Sequence, residues 1–413
     1  MAKLILFEDD QFRGFWPLIY WRTVFELLCG RWTLMDRAAH YLQQPIAGLW
    51  TRDWLAGHVA QHCQVPANAA ADAETVLING RWLVNDAVEF KPAPFVGTND
   101  GAVVYVSCNE QLAGRLTPSV MLDAERIGEV LDGVPREDID VRLVRYPWDL
   151  LAHNAQILED DWMSGAHGIE GMISHSAIIV DIAHVNVGHG AVIKPTAYLD
   201  ASTGPIHISF NATVGPHVTI EGPAYIGPGA VVKPHAHIYG GTSIGPFCKV
   251  GGEIDASIMC GYSNKQHDGF LGHSYLGSWI NVGAGTANSD LKNTYGPVHM
   301  RIGRDEINTA ERFLGAVVGD HTKIGINQII PTGATIGFAA TVFTSSVLPN
   351  CVPSFAWLTD AGMARGDPRR LIETARVVMA RRNVELCPEA EKLFFSVPER
   401  MKELEGEYDA PPD

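Results

Sequence analysis

From Val214 to Val250 a branched aliphatic residue returns at every sixth position: Val214, Ile220, Ile226, Val232, Ile238, Ile244 and Val250. Gly215, Gly227, Gly245 and Gly251 follow four of them directly. Four residues after each aliphatic sits a second inward candidate, usually small: Val218, Ala224, Ala230, Ala236, Thr242, Cys248 and Ile254. An amphipathic helix repeats near 3.6 residues and a strand near 2, so a period of six fits neither alone. It fits a short strand followed by a tight corner, repeated, with one aliphatic per face pointing inward: a parallel β-helix. The beat recurs at Val187, Ile193 and Leu199, at Leu276 and Val282, and from Val318 through Ile324, Ile330 and Ile336 to Val342. Ordinary strands joined by Gly- and Pro-rich loops would not hold seven positions in phase.

Two stretches break the beat. Val250 to Leu276 spans 276 − 250 = 26 residues, not a multiple of six. Between Val282 and Val318 the polar residues 288–300 lack inward aliphatics. Both are predicted to leave the coil as loops, where chemistry on a rigid scaffold usually resides. The first, Cys260 to Tyr275, holds Asn264, Lys265, Gln266, His267, Asp268 and His273 among glycines. In the second, Asn281 to Gly296, Gly283, Ala284 and Gly285 would let a ligand approach the backbone closely. A histidine beside a carboxylate suits general-base work near neutral pH, and Lys265 and Lys292 suit a phosphate.

The remaining chain divides around the repeat. Strand-like runs (Lys3 to Phe7, Thr75 to Ile78, Ala102 to Ser107) alternate with helix-like ones (Leu18 to Leu28, Thr33 to Leu42, Thr117 to Leu131), which predicts an α/β domain over 1–147. A linking helix is expected over 148–167, opened by Pro147, then the β-helix over 168–358. Asp367 and Pro368 open a helical tail within 359–413, with Ala410 to Asp413 frayed. The formal net charge of −16 argues against general affinity for nucleic acid or an anionic membrane. No stretch reads as a bilayer span or signal peptide, and seven scattered cysteines without a CxxC pair suit a reducing compartment; the expected location is the cytoplasm.

The six-residue repeat, the run Gly272-His273-Ser274-Tyr275-Leu276-Gly277 and the run Asn281-Val282-Gly283-Ala284-Gly285-Thr286 resemble the acetyltransferase half of bacterial bifunctional glucosamine-1-phosphate acetyltransferases / N-acetylglucosamine-1-phosphate uridylyltransferases. With its short amino-terminal part, the chain is similar to an alternate branch of that family, a sugar nucleotidyltransferase domain fused to a left-handed β-helix. The resemblance implies a homotrimer that binds acetyl-CoA between neighbouring coils and acetylates a hexosamine-1-phosphate for nucleotide-sugar synthesis. It implies His273 as the base, Asn281 as a substrate contact, and Gly283, Ala284 and Gly285 as backbone contacts of the cofactor. Tyr275 falls near a sugar-binding position, one residue short. Lys249, Glu253, Lys265 and Lys292 are substrate contacts expected on chemistry alone. For the amino-terminal domain the family implies UTP and Mg²⁺. Arg13, Arg22 and Asn79 are the nucleotide-binding candidates, although the glycine-rich cradle and the metal-binding Asp of the family are missing. The family pattern assigns no metal to the β-helix.

Two rival functions stand beside this one. A nucleotidyltransferase with a purely structural β-helix needs none of the loop chemistry. A zinc hydratase of the carbonic-anhydrase type needs three convergent histidines, drawn from His184, His189, His207, His217, His235 and His237.

Overall fold

The computed structural model describes residues 2–165 and 167–406; Met1, Ala166 and the tail from Glu407 onward, including Ala410 to Asp413, lie outside the described residues. The expected order holds: an α/β domain, a linking helix, a left-handed parallel β-helix of about 10 turns and two terminal helices.

The amino-terminal sheet has six strands in the order Ile46–Trp50, Lys3–Phe7, Thr75–Asn79, Ala102–Ser107, Phe95–Asn99, Arg136–Asp138. Lys3–Phe7 runs parallel to both neighbours, and Ala102–Ser107 is antiparallel to both of its own. The apolar run Leu18 to Leu28 is not the expected helix. It forms turns and one short 3-10 segment, Val24–Glu26, with Leu18, Ile19, Tyr20, Val24, Phe25 and Leu27 all buried. A run apolar on every side has no helical face to orient, and here the surrounding packing sets the backbone. The segment expected as one helix from Thr117 to Leu131 is two, Pro118–Met121 and Ala124–Val130. Asp123 caps the second through the Glu125 and Arg126 N–H groups.

In the β-helix the coils contribute short strands to three sheets of six, nine and eleven strands, parallel except for the hairpin Ala356–Thr359/Gly362–Arg365 at the end of the largest. All seven residues of the Val214–Val250 series are completely buried, and their registers confirm the stacking: Val214 lies beside Val232 and Val232 beside Val250. The first departure from the beat is not a loop. Residues 250–276 form ordinary coils in which Lys265 occupies the inward position below Val250, after a shortened step of 265 − 250 = 15 residues. The second departure is real. After Asn288 the chain leaves the coil, forms the hairpin His299–Ile302/Asp305–Asn308, and returns at Ala316.

The nine-stranded face is covered. Ile258, Cys260, Tyr275, Val317, Phe338 and Phe355 join one apolar cluster with the amino-terminal domain and the helices Pro368–Ala380 and Pro388–Leu404. The linking helix Pro147–Met163 ties the halves together. Asn154 donates to the Gly241 carbonyl at 2.8 Å and accepts from the Gly30 N–H at 2.7 Å. The fully buried Arg37 donates to Asp161 at 2.5 Å. The six- and eleven-stranded faces therefore carry most of the exposed polar chemistry.

Candidate active site on the β-helix

His273 ends the strand Phe270–Gly272 of the six-stranded sheet, at the corner leading to the nine-stranded one. Its backbone is left-handed, φ 45°, and its N–H donates to the Asp255 carbonyl at 2.9 Å. Nδ1 lies 2.8 Å from Asp290, and Phe313 stacks on the ring at 5.3 Å. With the proton on Nδ1, the imidazole donates to the carboxylate and presents a lone pair on Nε2. Asp290 and Phe313 both belong to the excursion after Asn288, so this excursion completes the site. Asn288 holds the strand below it, accepting from the Gly272 N–H at 2.8 Å and donating to its carbonyl at 3.0 Å. Gly272 is required there, because a Cβ would lie 2.5 Å from the Asp290 carboxylate.

Asp255, one coil below, is the residue the sequence did not single out. One ligand atom each from Asp255, His273 and Asp290 falls within 4.8 Å of the others. Burial raises the Asp255 carboxyl above its ordinary range, opposed by His273 and reinforced by Asp290. Two carboxylates beside an imidazole make a half-buried pocket suited to an ammonium group and to removal of its proton.

The cofactor candidates Gly283, Ala284 and Gly285 lie on a different corner, between the eleven-stranded sheet and the two-stranded sheet Ala287–Asn288/Ile329–Ile330, and not beside His273 as their nearness in sequence suggested. Of their N–H groups, Gly283 donates to Ile324 and Gly285 to Asp268, so Ala284 alone is unengaged among the described residues. The bond from Gly285 to Asp268, 3.0 Å, sets the exposed His267 on the coil adjoining that run. Lys265 fixes this corner from inside: its ammonium, 2% exposed, donates to the carbonyls of Gly251, His267 and Gly269. Burial lowers it to about 8. The expectation that Lys265 meets substrate gives way to a structural role, since three carbonyls already occupy its donors.

The other expected substrate contacts are dispersed. Lys249 and Asn281 line one hollow on the eleven-stranded face. Glu253 is exposed on the six-stranded sheet. Lys292 donates to the Pro297 carbonyl within the excursion. Tyr275 is fully buried against the amino-terminal domain, its hydroxyl donating to the Leu28 carbonyl at 2.9 Å, so it does not face a sugar.

The nucleotide-binding candidates do not converge either. Arg13 pairs with Glu403 of the last helix at 3.1 Å. Asn79 donates to Asp9 and to the Val103 carbonyl. Arg22 turns away to Ser278 and the buried Asp320 of the β-helix, lining a cavity of about 650 Å³ between the domains. At the edge where the strands Lys3–Phe7 and Thr75–Asn79 end, Glu8 is held by Arg52 at 3.0 Å and Asp9 by Arg81 at 2.6 Å. These carboxylates are already neutralised by guanidinium groups, and the set does not fit a magnesium ion.

The six histidines of the zinc reading do not meet. His184 bonds Asp181, His237 bonds Glu221, and His217 stacks on His235. Among the described residues the compact group of metal-ligand type is Asp255, His273 and Asp290. Among the described residues no helix is long and apolar enough to cross a membrane.

Residues 4–168 match the family model for sugar nucleotidyl transferases. The chain is 30% identical over 102 residues to a bifunctional sugar-1-phosphate nucleotidylyltransferase/acetyltransferase of Sulfurisphaera tokodaii, covering 24% of this chain and 25% of that one. It is 27% identical over 269 residues to the bifunctional protein GlmU of Synechococcus elongatus, covering 60% of this chain and 54% of that one. The chain thus matches about half, or less, of the length of these relatives. Among solved structures, a UDP-N-acetylglucosamine acyltransferase aligns over 58% of this chain and 91% of its own, at 12% identity and a TM-score of 0.27.

Proposed function

We propose that this chain, a sugar nucleotidyl transferase domain joined to a β-helix and similar to bifunctional nucleotidylyltransferase/acetyltransferases, transfers an acetyl group from acetyl-CoA to the amine of a hexosamine-1-phosphate. The observation that carries the reading is the Asp255–His273–Asp290 pocket. The carboxylates hold the acceptor's ammonium, and Asp290 keeps the His273 lone pair on Nε2. Nε2 takes one proton; the freed amine nitrogen attacks the thioester carbonyl; the C–N bond forms, the nitrogen's second proton passes to the departing sulfur as the C–S bond breaks, and CoA leaves as the thiol. The unengaged Ala284 N–H is the donor for the developing oxyanion or the pantetheine carbonyls. The chain works as a trimer in the cytoplasm, the neighbouring copy bringing its Ala284 corner to this pocket.

A second assignment of the base rests on the same corner: His267 lies beside Gly285 in one chain without help from a neighbour. Thiol release from acetyl-CoA with glucosamine-1-phosphate as acceptor separates them. Collapse of release in His273→Ala with His267→Ala active supports the dyad; the reverse moves the base to His267. No release from folded wild-type protein sinks acetyl transfer to this acceptor. The nucleotidyl reaction of the amino-terminal domain is supported by the family match and tested by pyrophosphate release from UTP and N-acetylglucosamine-1-phosphate.

A further inference from the structure

The cavity of about 650 Å³ that Arg22 lines is enclosed by three parts of the chain, and no member of the Asp255–His273–Asp290 pocket belongs to it. The amino-terminal domain gives Trp21, Glu26 and His58. The β-helix gives Tyr262 and Trp279, and the turn before the last helix gives Val384. Small-molecule sites commonly occupy about 300–1,000 Å³.

The walls are aromatic and rich in sulfur. Trp279 stacks on Tyr262 at 4.2 Å, and Trp21 meets His321 edge-on at 4.7 Å; both indoles are more than nine-tenths buried. Met35, Met379 and Cys387 add polarisable sulfur. Such walls take a flat ring. Two polar atoms of the lining have no partner among the described residues. His58 is 7% exposed with Nδ1 unbonded, and Arg22 is 9% exposed with Nε unbonded. Buried polar atoms are normally paired, so both point to a ligand that carries the missing partners.

Charge selects the class. The Arg22 cation is already engaged by the buried Asp320 and by Ser278. Burial holds His58 at about 4, so it is neutral near pH 7. The buried Glu26 accepts from Thr23 through one carboxylate oxygen, and its other oxygen has only the exposed His62 at 3.8 Å. Asp36 and Glu385 add exposed carboxylates to the lining. The cavity is therefore net negative, which repels nucleotides and sugar phosphates and attracts a cation. Aromatic faces beside a carboxylate are the setting that holds an organic ammonium.

We propose that this cavity binds an arylalkylamine: a flat ring with a polar substituent against Trp21 and Trp279, and an ammonium arm at Glu26. The ring's polar atoms meet His58 Nδ1 and the Arg22 Nε–H. The proposal does not rest on the acetyl-transfer reading. A ligand seated there touches both domains and the carboxy-terminal segment, so it favours their docked arrangement.

The test is the fluorescence anisotropy of 5-hydroxytryptamine, excited beyond the tryptophan absorption band and titrated with the full-length protein. Salt at about 0.15 M screens diffuse attraction to a chain of net charge −16. The titration is repeated with Glu26→Gln and with Val384→Trp, which fills the cavity; circular dichroism checks the folding of both. The expected result is a saturable site, weakened at least tenfold in Glu26→Gln and lost in Val384→Trp. 5-Hydroxyindole-3-acetate, with the same ring and an anionic arm, is expected to bind at least tenfold more weakly, a comparison that needs no variant. Absence of saturable binding, binding unchanged in either folded variant, or equal binding of the anion overturns the proposal. Displacement by acetyl-CoA or UTP also overturns it, because the amine would then sit in a substrate site. Thiol release can fail while this site stands, and the reverse.

Discussion

At the residue scale two side chains make separable predictions, Asp290 in the candidate active site and Lys265 inside the coil. Replacing Asp290 with Asn removes the carboxylate that fixes the His273 tautomer. Thiol release is expected to fall at least tenfold with little change in the KM for acetyl-CoA, in steady-state assays. Lys265 is expected to act on stability. Lys265→Met keeps the inward bulk but strands the carbonyls of Gly251, His267 and Gly269, at a cost of about 1–3 kcal/mol in urea unfolding. At this scale the sequence was only partly legible. His273 was legible because glycines and a polar run surround it. Asp255 was not, since it reaches the imidazole from the coil below. Lys265 looked like a ligand contact because a lysine at an inward position carries no apolar signal.

Elements that repeat are the most legible and the most uniformly built. The inward column from Val214 to Val250 was readable because each coil needs a branched aliphatic at the same phase. Its members are expected to respond alike. Ile238→Ala, at a completely buried position, is expected to cost about 2–5 kcal/mol by chemical denaturation. The corner between the nine- and eleven-stranded sheets shows a second periodic device. Phe247, Tyr262, Trp279 and His321 stack in succession, the closest pair 4.2 Å apart, each with a left-handed backbone. No six-residue count reveals this ladder, because the shortened coils between Val250 and Val282 change its sequence spacing while leaving its stacking intact. The misread Leu18 to Leu28 segment illustrates the opposite case: full burial without a face leaves nothing for a period to report.

For the molecule as a whole, burial of ionisable groups between the domains governs the response to pH. Burial holds His58 at about 4 and His207 at about 3, and keeps His321 well below its ordinary value. Their folded values lie below the unfolded one, near 6.5, so the unfolded chain binds more protons between them. The stability is complete above pH 6.5 and is lost as pH falls toward 4. For His58 alone, the loss is on the order of 3 kcal/mol. Urea midpoints measured from pH 7.5 to 4.5 are expected to fall less steeply in His58→Phe than in wild type. The contact between the halves is itself an unfolding determinant. Arg37→Met leaves Asp161 buried without its cation and is expected to cost about 3–5 kcal/mol, with both halves melting earlier in calorimetry.

The excursion after Asn288 leaves and rejoins the coil without disturbing it: Val282 still lies beside Ile324, and Asn288 beside Ile330. Its length is thus a free variable of the architecture. Asp290 and Phe313, the groups that orient and cover His273, both ride on it. A lineage can therefore splice a different segment at this junction and acquire a new acceptor preference while the spine stays the same. Grafting is correspondingly simple for an engineer: exchanging 289–315 exchanges the ceiling of the pocket and leaves its floor in place.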